Sequence, residues 1–328
     1  DKIAYMRRDA CDYHDFAVLY RTNSQSRAIE QALLRQNIPY RLVGGQSYFK
    51  RKEIKDLMAY LRLICNPDDD LSFVRVVNEP KRGIGAASID KLSHFAAESE
   101  LSLMSSIQDA TGVVAKATLN KLMDFKTMIY MLRAQIEDHS LASFIDLVLS
   151  QTGYLEMLEN ENTIEADSRI DNLGEFKSMA TQFEDVDLDE ILAEEESEER
   201  ADDLPTMTKL IILLNDLMLQ TDTETEEEAN ESKVTLMTIH AAKGLEFPVV
   251  FICGFEDGIF PLRSAIEQGA DDLEEERRLA YVAITRAEDL LFITNAQSRY
   301  QYGMRSANPE SMFIREISET YLNKTGIE

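Results

Sequence analysis

Two long apolar runs, Val234–His240 (VTLMTIH) and Pro248–Phe255 (PVVFICGF), are joined through a short charged connection, His240–Glu246 (HAAKGLE). Runs of apolar and β-branched residues at this length fit strands covered on both faces, as in a parallel α/β sheet. In such sheets ligands collect outside the carboxyl ends of the strands. That places His240, Lys243 and Glu246 where a phosphate or a nucleic acid would be met. A polar loop that only terminates a strand accounts for the same residues equally well.

A matching signal stands near the start of the chain. Phe16–Thr22 (FAVLYRT) reads as a strand, and Asn23 or Ser24 can cap the following helix, SQSRAIEQALLRQ, whose apolar residues recur at Ala28, Ile29, Ala32 and Leu33. Asn37-Ile-Pro39 stops that helix and Tyr40–Val43 resumes as a strand before Gly44-Gly45. This strand–helix–strand unit is the building block of a parallel sheet. Arg21 and Asn23 lie just past its first strand, either as ligand contacts or as a turn and a cap.

From about Tyr48 to Gln220 the strand signals vanish. Helices are predicted at Glu53–Cys65, Leu71–Val77, Ala87–Ser99, Lys116–Glu137, Leu141–Leu149, Ala166–Phe183 and Thr206–Leu219. Together they make a block of one domain's size. Within it, Glu79-Pro-Lys-Arg-Gly-Ile-Gly85 puts two glycines after Lys81-Arg82 and before a helix. Backbone amides there could approach a phosphate at a helix N-terminus; a plain helix–helix turn explains the same residues. Because strands return at Val234, the helical block is expected to interrupt one α/β domain. The tail DDLEEERRLAYVAITRAED predicts a helix capped by Asp272, with acids in its first turn and Leu279, Val282 and Ala283 facing inward. Thr285-Arg286 falls near its end, followed by a strand at Leu290–Asn295 and a last helix at Pro309–Tyr321.

The chain has 328 residues and 44% hydrophobic residues, enough for two or three domains with real cores. It begins DKIAYMRRDA and is expected to be part of a longer protein. No apolar run is long enough to span a bilayer. Cys11, Cys65 and Cys253 match no metal or disulfide spacing, so no metal is expected and a reducing cytoplasmic location is. A net charge of −26 argues at first against a nucleic-acid partner. However, residues 184–203 and 222–231 hold 18 of the 60 acids and a single Arg. Both runs read as solvated loops rather than a binding face, so acidity does not decide the partner.

No Gly-Lys dipeptide occurs, so there is no G-x-x-x-x-G-K-[ST] phosphate loop, and H-E-x-x-H, G-x-S-x-G and G-x-G-x-x-G are absent too. A complete nucleotide hydrolase is thereby excluded; a half that completes one is not. Three stretches resemble the carboxy-terminal half of a superfamily 1 DNA helicase of the PcrA/UvrD type: FAVLYRTNSQSRAIEQALL, VTLMTIHAAKGLEFPVVFICGFEDGIFP and EEERRLAYVAITRAED. The resemblance extends through GGQSYFKRKEIKDLMAYLRLICNPDDD and EPKRGIG and leaves out only the acidic stretch near 184–205.

The resemblance implies a RecA-like motor domain in two segments, residues 1–48 and 232–328. Residues 49–231 would be an inserted all-helical accessory domain that contacts duplex DNA. ATP with Mg²⁺ would be held mainly by a missing amino-terminal RecA-like domain, so this chain alone is expected to be inactive. Arg286 would be the arginine finger, Glu246 would accept from the nucleotide ribose, and Lys243 would add charge near the phosphates or the DNA backbone. His240, Arg21 and Asn23 would touch single-stranded DNA, and Lys81, Arg82, Gly83 and Gly85 a duplex backbone. Repair or replication proteins would be further partners, and no membrane is. The competing expectation is a non-catalytic DNA- or protein-binding module docking through the helical block.

Overall fold

β1 (Phe16–Tyr20) lies at the centre of a five-stranded parallel sheet, and both its neighbours come from the far end of the sequence. In the computed structural model, residues 1–7, 11–188, 203–222 and 232–326 are described. With β2 (Tyr40–Val43), β3 (Val234–Thr238), β4 (Phe247–Cys253) and β5 (Ala287–Thr294), the order is β2-β3-β1-β4-β5. Ala17 pairs with Thr235 on one side and with Val250 on the other. The side chains of β1 alternate as a strand requires. Ala17 and Leu19 join Met237, Val250, Ile252, Leu279 and Ala283 on one face, while Phe16, Val18 and Tyr20 join Leu33, Leu236 and Phe251 on the other. Central strands are thus buried on both faces, and the edge strands β2 and β5 are half-exposed.

The chain forms two compact units. One comprises the described residues of Asp1–Tyr48, Thr225–Arg299 and Arg305–Glu328; the other comprises those of Phe49–Glu224 and Tyr300–Met304. The second is built from helices around fully buried Tyr60, Phe73, Phe125, Phe144 and Phe176. Two buried acids in its core are satisfied. Glu53 accepts from Asn172 Nδ2 at 2.6 Å, and Asp56 accepts from the Tyr154 hydroxyl at 2.9 Å and pairs with Arg75 at 2.7 Å. Burial first, and Asp56 second, hold the Tyr154 hydroxyl well above the usual phenol range.

Several elements depart from the sequence expectation. A helix at Tyr154–Glu161 lies between two left-handed residues, Gly153 at φ +75° and Asn162 at φ +47°. It escapes a periodicity reading because only Tyr154 and Leu158 are buried on it. The last helix does not form: Pro309–Tyr321 holds only 3-10 turns at Met312–Glu316 and Glu319–Tyr321. The helix Ala270–Ile284 starts from Gly269 at φ +130°, a conformation open to glycine, so Asp272 lies inside the first turn instead of capping it. A short hairpin, β6 (Arg299–Gln301) with β7 (Met304–Ser306), had no strong sequence signal. Within the acidic runs, residues 189–202 and 223–231 lie outside the described residues. Among the described residues no helix is long and apolar enough to cross a membrane, and no cluster of His, Cys, Asp and Glu could hold a metal ion.

Phe255 is fully buried, with its ring centroid 5.1 Å from that of Phe260 and 6.4 Å from that of Phe313. Phe255→Ala is expected to destabilise the sheet-containing unit by about 3–5 kcal/mol, read as an earlier urea midpoint. A midpoint unchanged within error would show that this aromatic cluster does not hold the unit together.

Candidate functional site

The carboxyl ends of β1 and β3 lie side by side. Tyr20 pairs with Thr238, and the Ile239 amide donates to the Tyr20 carbonyl at 2.9 Å. Arg21 and His240 therefore leave the sheet at one edge, followed by Asn23 in the 3-10 turn Asn23–Gln25. Gln25 braces this edge. Its Oε1 accepts from the amides of Arg21 at 2.9 Å and Thr22 at 3.0 Å, and its Nε2 donates to the Cys253 carbonyl at the end of β4. Gly254, at φ +72°, leaves room for that amide: a Cβ there would stand 2.4 Å from Gln25 Nε2.

The side chain of Arg21 is gripped by Glu276. Nε donates to both carboxylate oxygens at 3.0 and 3.1 Å, and Nη2 donates to Oε1 at 2.7 Å. Glu276 Oε2 also accepts from the Leu262 amide at 3.2 Å. His240 is exposed beside them. Partial burial and then the positive charge of Arg21 lower its pKa from 6.5, against opposing pulls from Glu276 and Glu275.

Lys243 and Glu246 lead to the opposite edge. Because β3 and β4 run parallel, the connection His240–Glu246 must return from a carboxyl end to an amino end. Glu246 directly precedes Phe247, the first residue of β4. The expectation that His240, Lys243 and Glu246 share the carboxyl edge is corrected accordingly: Glu246 belongs to the amino edge. Arg286 is there too, one residue before β5, with its carbonyl accepting from the Phe247 amide at 2.9 Å. Its guanidinium donates to the Leu245 carbonyl at 2.8 Å, the Val282 carbonyl at 2.9 Å and Thr285 Oγ1 at 3.0 Å. All three acceptors are neutral, and among the described residues no carboxylate pairs with it.

The helix Ala270–Ile284 ties the two edges together. As the crossover between parallel β4 and β5, it runs back against the strand direction. Glu276 on its buried side holds Arg21 at the carboxyl edge, and its far end delivers Arg286 to the amino edge. Sequence reading places Glu276 among first-turn acids and misses its role. The available signal was its spacing, because Glu276, Leu279, Ala280 and Ala283 share the buried face.

In the helical unit, Asn78 Oδ1 accepts from the amides of Arg82 at 2.9 Å and Ile84 at 3.1 Å, shaping the Glu79–Gly85 turn. Arg82 points inward. Its guanidinium donates to the carbonyls of Val76, Pro80 and Thr152 and to the Tyr60 hydroxyl, at 2.9–3.2 Å. Burial pushes the Tyr60 hydroxyl up to about 12, opposed by Arg82. Lys81, Gly83 and Gly85 stand exposed on the turn, with Gly83 at φ +70° and its carbonyl accepting from Lys121 Nζ at 3.2 Å. The turn therefore presents one lysine and two glycines outward while Arg82 holds it from within.

The family model of the UvrD-like helicase C-terminal domain matches residues 1–298. The chain is 47% identical over 316 residues to the ATP-dependent DNA helicase PcrA of Bacillus subtilis (strain 168), covering 94% of this chain and 40% of that protein. It is 42% identical over 318 residues to the protein of that name from Staphylococcus aureus (strain MRSA252), covering 96% and 41%. Against the one from Leuconostoc citreum, identity is 47% over 313 residues, covering 94% and 40%. The chain spans about two fifths of the length of these relatives.

His240 should titrate below its ordinary value and so be neutral at pH 7. Removing the neighbouring cation with Arg21→Ala must raise the midpoint, because the attraction of Glu276 and Glu275 is then unopposed. An NMR titration of the imidazole reads this directly, and a midpoint that stayed put or fell would separate His240 from Arg21.

Proposed function

The chain belongs to the UvrD-like helicase C-terminal family, and on that premise we propose that it forms the carboxy-terminal half of an ATP-dependent DNA helicase moving 3′ to 5′. The sheet unit, residues 1–48 and 232–328, is then the second RecA-like motor domain. The helical residues 49–231 are an inserted accessory domain whose Glu79–Gly85 turn meets duplex DNA through Lys81, Gly83 and Gly85. Arg82 serves that contact by keeping the turn in shape.

Arg286 carries the reading. A guanidinium held only by neutral acceptors keeps its full charge for an incoming polyphosphate. The chemistry of the neighbouring side chains also suits a nucleotide: Glu246 is an exposed acceptor for ribose hydroxyls, and Lys243 an exposed cation. ATP with Mg²⁺, bound mainly by the amino-terminal motor domain, supplies the phosphoryl group that passes to water. Arg286 offsets the charge that builds on the phosphoryl oxygens, the role of an arginine finger. His240, Arg21 and Asn23, at the other edge of the sheet, hold phosphate and sugar of single-stranded DNA. Such contacts position a strand without reading its sequence, as a translocating motor requires.

In a protein joining this chain to an amino-terminal motor half, Arg286→Ala is expected to lower DNA-stimulated ATP turnover by about 10³-fold while single-stranded DNA affinity is kept. Turnover within a few-fold of wild type would remove Arg286 from the reaction.

A further inference from the structure

A guanidinium carries five N–H donors in a rigid planar fork, and a carboxylate can occupy one edge while leaving the other open. Arg21 is held in that way. Its Nε and Nη2 meet Glu276, and among the described residues Nη1 has no partner. The side chain of Arg21 keeps 16% of its exposure, whereas that of Glu276 keeps 5%. Glu276 is itself fixed, on the buried face of Ala270–Ile284 beside Leu279 and Ala280 and by the Leu262 amide. The exposed imidazole of His240 lies at the same edge of the sheet.

We infer that Glu276 is a positioning residue for the helicase's strand contact, given the reading of Arg21 as part of that contact. It grips the inner edge of the guanidinium and turns the outer edge, Nη1, toward a phosphate of single-stranded DNA. Without this anchor a long, flexible side chain has to be ordered at the moment of binding, which costs affinity. A second effect has the opposite sign. A carboxylate near a phosphate backbone repels it, so if charge alone mattered, removing Glu276 would tighten binding. The direction of the change therefore separates positioning from simple electrostatics.

The test measures binding of a fluorescently labelled oligothymidylate to the full-length protein across a salt series. Arg21→Ala should weaken binding and make the slope of log affinity against log salt shallower by about 0.7, one phosphate contact on a single strand. Glu276→Gln should weaken binding about fivefold at low salt, in proportion to the disordering of one side chain. In the Arg21→Ala background it should have no further effect. Glu276→Asp keeps the charge but shortens the reach, and it should weaken binding as well, which a purely electrostatic role does not predict. Glu276→Gln binding as tightly as wild type or tighter, or effects of the two sites that simply multiply, would overturn the inference. Arg21→Ala leaving affinity and slope unchanged would instead sink the strand contact of Arg21 itself. Wild-type protein with no salt-dependent affinity for the oligonucleotide would sink the helicase reading as a whole.

Discussion

The pairing of β1 between β3 and β4 is the constraint on which the rest of the sheet unit depends. Segments more than 200 residues apart must meet before either hydrogen-bonding edge of β1 is paired, since Ala17 pairs with both Thr235 and Val250. Such non-local pairing costs loop-closure entropy that only the completed core returns. The core does so through β1, whose side chains enter two different apolar clusters. Once the register is set, the positions of Arg21, His240, Glu246 and Arg286 follow from where each strand begins or ends.

The parallel arrangement also divides the work. Connections between parallel strands must travel the length of the sheet, so the short run from Ile239 to Glu246 begins at one edge and finishes at the other. The helix Ala270–Ile284 makes the same journey as a rigid rod. Its two arginine contacts are of opposite kinds. Arg21 is fixed along one edge by a buried carboxylate, with Nη1 left open among the described residues, whereas Arg286 rests on neutral acceptors. A fixed guanidinium suits holding a strand, and a lightly held one suits a ligand that comes and goes.

Much of this was legible in the residues. The central strands announce themselves because burial on both faces demands unbroken apolar runs, and FAVLY and VTLMT show them plainly. The helical block is readable from periodicity and from the absence of strand signals. What could not be read was decided by partners far away in sequence. Glu276 looks like any first-turn acid until Arg21 is found opposite it, and Arg82 looks like a surface cation until the carbonyls of Val76 and Thr152 enclose it. The expected last helix gave way to two 3-10 turns, with Phe313 and Ile314 entering the core from the first. The edge assigned to Glu246 was wrong on topological grounds: a connection between parallel strands starts at a carboxyl end and must finish at an amino end, which puts the last residue of HAAKGLE beside the start of β4.

We propose that the Arg286 guanidinium rests on the Leu245 carbonyl only until a nucleotide phosphate replaces it. A crystal structure of the full-length protein with a transition-state mimic of ATP and a single strand bound tests this most directly. The Arg286 guanidinium should have left the Leu245 carbonyl for the phosphate mimic, with Arg21 still gripped by Glu276. Arg286 still on the Leu245 carbonyl, with another cation against the mimic, would contradict the account.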